Sequence, residues 1–105
     1  MSQFCIYKND DKATQNAYPY FLDVQNDLLD ELNSRVVIPL SSLTLVKHRD
    51  AKRLCPIINI EGSDYILLTH QIAAIQKTKL KTQVADLKSF RPEIIASLDL
   101  LITGI

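Results

Sequence analysis

Apolar and polar positions follow a period of two along most of the chain and switch to a helical period only near its end. Residues 3–7 (Gln3-Phe4-Cys5-Ile6-Tyr7) predict a strand, and the polar loop over 8–17 has alanines as its only apolar residues. In residues 18–24, Tyr18, Tyr20, Leu22 and Val24 share one face, with Pro19, Phe21 and Asp23 on the other. Pro19 has no N–H to donate, so this strand begins there or lies at an edge. Residues 26–32 set Leu28, Leu29 and Leu32 among Asp27, Asp30 and Glu31, an amphipathic turn too short to be stable alone.

Val36-Val37-Ile38-Pro39-Leu40 is β-branched and interrupted by proline, and residues 54–60 repeat that habit with Pro56. The turn-rich link Glu61-Gly62-Ser63-Asp64 predicts a hairpin between 56–60 and 65–68. Residues 76–84 read as a strand with Lys77, Lys79 and Lys81 on one face, a pattern that protects an edge.

The one helix runs from about residue 90 to the end. Ser89 is its expected cap, Pro92 is tolerated in the first turn and Glu93 suits the positive end. At 100° per residue, Phe90, Ile94, Ile95, Leu98, Leu101 and Ile102 fall within an arc of roughly 140°, the face expected on the core. Leu100 lies roughly 80° outside that arc, beside Ala96 and Ser97, and is expected to be exposed. The chain finishes on Leu100-Leu101-Ile102-Thr103-Gly104-Ile105, an apolar end expected to face a partner. Short strands plus one C-terminal α-helix predict a mainly β fold, an SH3-like, partly open barrel, in a single domain over 1–105. Edge strands and an exposed leucine point to a twofold homodimer.

Composition narrows the function. The chain is 47% hydrophobic and 23% charged, with 12 basic and 12 acidic side chains and a formal charge of zero. Unaided binding to phosphate backbones, which needs a basic face, is disfavoured. Cys5 and Cys55 stand in separate apolar runs without metal-ligand spacing and read as reduced, inert thiols. His48 and His70 have no partner at such spacing and read as surface or structural residues. The cluster Lys47-His48-Arg49-Asp50-Ala51-Lys52-Arg53 reads as a solvated loop. With Gly62 and Gly104 the only glycines, a phosphate-cradling loop is excluded. No metal or cofactor is expected, and a binding module is favoured over an enzyme. The absence of a signal region or a membrane-length apolar run predicts a cytoplasmic protein.

Three segments resemble the CcdB toxins. Tyr20-Phe21-Leu22-Asp23-Val24-Gln25-Asn26-Asp27-Leu28-Leu29-Asp30 is similar to the phenylalanine/valine-Asp-Val-Gln-x-Asp-aliphatic-aliphatic-Asp segment of that family, and Arg35-Val36-Val37-Ile38-Pro39-Leu40 to its arginine-x-valine-isoleucine-proline-leucine strand. Val84-Ala85-Asp86-Leu87 and the helix to Gly104-Ile105 match its ending, and residues 54–60 match its middle hairpin more loosely. The resemblance implies a homodimeric toxin of a type II toxin–antitoxin pair, with a CcdB/MazF-like barrel and a small accessory sheet. Such toxins are not enzymes. They bind the A subunit of DNA gyrase and trap it on cleaved DNA, are neutralised by a CcdA-like antitoxin, and meet operator DNA only together with that antitoxin. No membrane is involved.

The implied gyrase-binding residues are Asn26, Leu28, Leu29, Asp99, Leu101, Thr103, Gly104 and Ile105. The implied dimer interface is Leu100, Leu101, Ile102 and Ile105. Leu28 and Leu29 read equally well as core or dimer packing, and Gly104 as an ordinary helix-terminal glycine. Thr103 stands where the family has a tryptophan held to stack on an arginine, a contact worth about 0.5 to 2 kcal/mol. The alternatives are a MazF-like endoribonuclease on the same fold, drawing on Arg35, His48, Arg49, Arg53 and His70, and a protein that binds antitoxin but no longer kills.

Overall fold

The structure is a computed structural model that describes residues 2–42 and 53–104. Among the described residues seven strands make one antiparallel sheet: β1 (Cys5–Lys8), β2 (Tyr20–Asp23), β3 (Ser34–Ser42), β4 (Ile57–Ile60), β5 (Ser63–Leu67), β6 (Ala73–Gln76) and β7 (Gln83–Asp86). The path runs β4-β5-β3-β2-β1-β7, with β6 also paired to β3. The one α-helix among the described residues, α1 (Arg91–Thr103), follows β7. The expected mainly β fold, a partly open barrel with a C-terminal helix, is therefore present, its sheet forming a half-barrel.

β3 organises the sheet. One edge carries β2, from Asp23↔Val37 to Tyr20↔Leu40. The other is divided between β6, paired with Ser34 to Val37, and β5, paired with Leu40 to Ser42. Pro39 falls in the gap between them. Its carbonyl accepts from Leu68 N on that side, so the absent N–H costs the ladder nothing where no strand faces it. The β4–β5 hairpin is tighter than the sequence suggests. Glu61 and Gly62 alone form the turn, at φ 52° and 87°, a two-residue link of the type that matches strand twist. Ser63 and Asp64 belong to the ladder, and Asn59 Nδ2 donates to Asp64 Oδ1 at 3.0 Å.

Strand alternation sorts the core into two faces. Phe4, Ile6, Leu22, Ile38, Leu40, Ile58, Ile60, Leu67 and Leu87 pack with Ile94 of α1. Cys5, Tyr7, Val37 and Leu80 cluster separately, with Phe21 and Ile75 against them. Leu80 explains why residues 76–84 are not one strand. Burying it turns the chain, so Lys77–Lys79 form a 3₁₀ turn between β6 and β7, and the three lysines do not line a strand face.

The helix differs from its predicted orientation. Ser89 lies inside a 3₁₀ turn, Lys88–Phe90, whose Lys88 N–H is accepted by Asp86 Oδ1 at 2.8 Å, and α1 begins without a side-chain cap. Ile94 and Ser97 are fully buried, Ile95 and Leu98 are half-buried against the core, and Leu101 is half-buried too. Phe90 and Ile102, expected on the core, are exposed, while Leu100, expected outside, is half-buried. Ser97 rotates the stripe. Its hydroxyl donates to Ile94 O at 2.8 Å and accepts from Thr69 Oγ1 at 3.3 Å, so a serine that reads as solvent-facing is satisfied inside.

Truncating Ile94→Ala removes the side chain that α1 buries most deeply and leaves a cavity. The expected loss is about 2 to 5 kcal/mol, read in urea as a lower midpoint at unchanged slope.

Candidate functional site

The segment between β2 and β3 is built around one buried cation. Arg35 and Asp23 are both fully buried, with guanidinium and carboxylate 2.8 Å apart. From the same guanidinium, Nη2 donates to Gln25 O at 3.1 Å and Asp27 Oδ1 at 3.3 Å, and Nη1 donates to Asp30 Oδ1 at 3.3 Å. Gln25 works in the same sense. Its Oε1 accepts from Val36 N at 3.0 Å and its Nε2 donates to Leu29 O at 3.1 Å. Gln3 N adds a bond to Asp27 Oδ1 at 2.8 Å, and Lys77 Nζ reaches both the carboxylate of Asp30, at 3.1 Å, and its carbonyl.

These bonds hold a 3₁₀ turn, Asp27–Leu29, capped by Asn26 Oδ1 accepting from Leu28 N at 2.8 Å. With the polar groups directed inward, the leucines face out. Leu28 is 89% exposed and Leu29 51%, with Leu32 exposed beside them in sequence. The core reading for Leu28 and Leu29 is thereby excluded. A network of this kind costs desolvation to assemble, and what it secures is a fixed apolar turn on the surface.

Burial pushes the Asp23 carboxyl up, with Arg35 and the Gln25 N–H pulling it back. Burial also works against the Arg35 cation, but Asp23 and then Asp27 outweigh it and hold the guanidinium above its ordinary value. Asp30 moves the other way, held below the usual carboxylate value by the hydrogen bond from Lys77.

The helix end forms a second apolar surface. Ile102 is 77% exposed, and Asp99, Thr103 and Gly104 are exposed beside it. Gly104 is left-handed at φ 76° and donates to Leu100 O at 3.0 Å, the helix-terminal role expected of it. The Thr103 hydroxyl donates to Asp99 O at 2.6 Å. Ile105 and the basic-cluster residues His48 and Arg49 lie outside the described residues, whereas Arg53 is described and exposed. The two surfaces are anchored separately: α1 packs on the 69–71 and 88–90 turns, and the 27–29 turn is tied to β3, Gln3 and Lys77.

Two features escaped the sequence. A shallow groove of about 830 Å³ lies on the sheet face bearing Phe21, Val37 and Pro39, rimmed by Asp10 and Asp11 and by Lys79 and Lys81. The thiol of Cys55 also meets His70, at 3.5 Å from Sγ to Nδ1. Fifteen residues separate that pair, and no spacing rule connects them. Among the described residues no group of three or more possible metal ligands occurs, and no helix is long and apolar enough to cross a membrane.

The family model described as CcdB protein matches residues 3–104. The chain belongs to the CcdB family. It is accordingly a toxin of a toxin–antitoxin system. A solved endoribonuclease in complex with its cognate antitoxin, from a mycobacterial species, is similar at a TM-score of 0.74 and 14% identity, covering 98% of this chain and 95% of that one. At that identity the likeness speaks for the fold alone.

Two measurements probe the network. Arg35→Met strands the buried Asp23 carboxylate and is expected to cost about 3 to 5 kcal/mol, with much of it regained in Asp23→Leu/Arg35→Met. The double variant's urea midpoint, compared with the single's, decides this. For Asp30, a depressed folded value means stability present above its unfolded pKa of about 3.9 and lost as pH falls through the folded value. Lys77→Met is therefore expected to be less stable than the parent at pH 7, with the gap closing toward pH 3.

Proposed function

We propose that this CcdB-family toxin works by binding the A subunit of DNA gyrase and holding the enzyme on cleaved DNA, as a homodimer and without catalysing a reaction. Family membership supports the toxin class, and the presentation of Leu28 and Leu29 supports the binding reading. A turn locked by a buried ion network, with two leucines turned outward, suits a preformed apolar anchor, because its ordering entropy is already met before the partner arrives. Thr103 and Gly104 supply the second contact, joined by Asp99, Leu101 and Ile105. Leu100, half-buried with Leu101 and Ile102 nearby in sequence, belongs to the proposed twofold contact between copies. A CcdA-like antitoxin covers the toxin and, with it, binds operator DNA.

The weaker point of the end is Thr103. It cannot stack on a cation as tryptophan does, a difference of about 0.5 to 2 kcal/mol. Poisoning is then expected to rest more on the leucine turn. The endoribonuclease reading draws its one counterpart from the similar fold. Against it, Arg35, the first basic candidate for such chemistry, is fully buried and engaged by Asp23, Asp27 and Asp30. It cannot reach a substrate without breaking the network.

The deciding experiment incubates the protein with gyrase, ATP and plasmid, then treats with detergent and protease. Linear DNA is the expected product. Leu28→Asp, an exposed position whose change leaves the core intact, is expected to reduce it at least tenfold, equivalent to about 1.4 kcal/mol of lost contact. Thr103→Trp is expected to increase it, and removal of residues 103–105 to abolish it. Absence of linear DNA together with cleavage of added RNA would reverse the assignment.

A further inference from the structure

The Cys55–His70 pair lies outside both apolar surfaces and has no role in the proposed function. Its setting differs from that of the other thiol. Both sulfurs are buried, Cys5 at 1% exposure and Cys55 at 7%, but Cys5 packs among Tyr7, Val37 and Leu80, and among the described residues no hydrogen-bonding base stands at its sulfur. Cys55 sits in a small cluster with Ile66 and Leu68, flanked by Tyr18 and Leu54, immediately before β4. Its Sγ is 3.5 Å from His70 Nδ1, and the imidazole belongs to an exposed residue. Burial raises the Cys55 thiol, and the backbone N–H of Thr69 beside it acts in the opposite sense, favouring the anion. Burial pushes both thiols up, so ionisation alone does not separate them. What separates them is an adjacent base with access to solvent.

We propose that Cys55 is a thiol-modification site for low-molecular-weight disulfides, with His70 as the base that takes its proton. Cys55 Sγ attacks one sulfur of the reagent as its proton passes to His70 Nδ1. The reagent's S–S bond breaks and a new one forms between Cys55 and one half of it. The other half leaves as a thiolate and recovers the proton from His70. The protein thiol is oxidised, the leaving half is reduced, and no further co-reactant is needed.

The position gives the adduct a structural consequence. Thr69, beside His70 in the same 3₁₀ turn, donates its hydroxyl to Ser97 of α1 at 3.3 Å. A bulky group on Cys55 displaces the turn on which the helix rests.

Glutathione disulfide is the probe, applied to the full-length protein under native conditions, with intact mass and peptide mapping as readout. One adduct is expected, on Cys55, reversed by dithiothreitol, retained in Cys5→Ser and absent in Cys55→Ser. In the wild-type protein Cys55 should react at least about tenfold faster than Cys5 near neutral pH. His70→Gln, which keeps a hydrogen-bonding side chain but no base, is expected to slow Cys55 about tenfold at neutral pH while leaving the rate at strongly alkaline pH almost unchanged. That pH dependence is one that a purely structural histidine would not produce. An unmodified protein, equal rates at the two cysteines, or an identical pH profile in His70→Gln would each overturn the proposal. The comparison of the two thiols within the wild-type chain stands even where the variant folds poorly.

Discussion

The buried ion pair of Arg35 and Asp23 is the constraint on which the rest depends. Removing both charges from water is expensive, and mutual attraction alone does not recover that cost unless the remaining donors and acceptors are matched. Here they are. Arg35 meets three carboxylates and a carbonyl, Asp23 also accepts from Gln25 N, and no buried side-chain polar atom among the described residues lacks a partner. Satisfying Arg35 requires the chain between β2 and β3 to fold back around it. That demand shapes the leucine turn and fixes where β3 enters the sheet.

β3 then carries the pairing of β2, β5 and β6, so an irregular connection sets the frame for most of the sheet. The helix is attached by different means. Ile94 enters the main core, and Ser97 meets Thr69 across a turn leading into β6. Apolar packing holds its first half, while its last turn runs out to exposed Ile102, Thr103 and Gly104. Both surfaces proposed for partner binding are therefore ends of rigid elements, one an ion-clamped turn and the other a helix terminus.

Much of the architecture was legible locally. Alternation located β1, β2, β3 and the hairpin, and the glycine after Thr103 marked the helix end because a left-handed residue is easiest for glycine. The misreadings share a cause. Lys77, Lys79 and Lys81 alternate as in an edge strand, yet Lys77 is drawn to Asp30, 47 residues away, and Leu80 into the Cys5 cluster. Ala73–Gln76 has little intrinsic strand preference and pairs because β3 offers an unfilled edge. Ser97 reads as solvent-facing, and only the presence of Thr69 makes its burial acceptable.

The sequence by itself determined the class of fold and the family, and it put forward the candidate residues. Those follow from period, composition and short motifs, all of which act over a few neighbouring residues. Tertiary structure alone decided which leucines face outward, which helix positions meet the core, and that Cys55 lies against His70. Each of those outcomes depends on groups far apart in the chain, brought together by strand register and by the need to satisfy buried polar atoms, and neither leaves a local trace in the pattern.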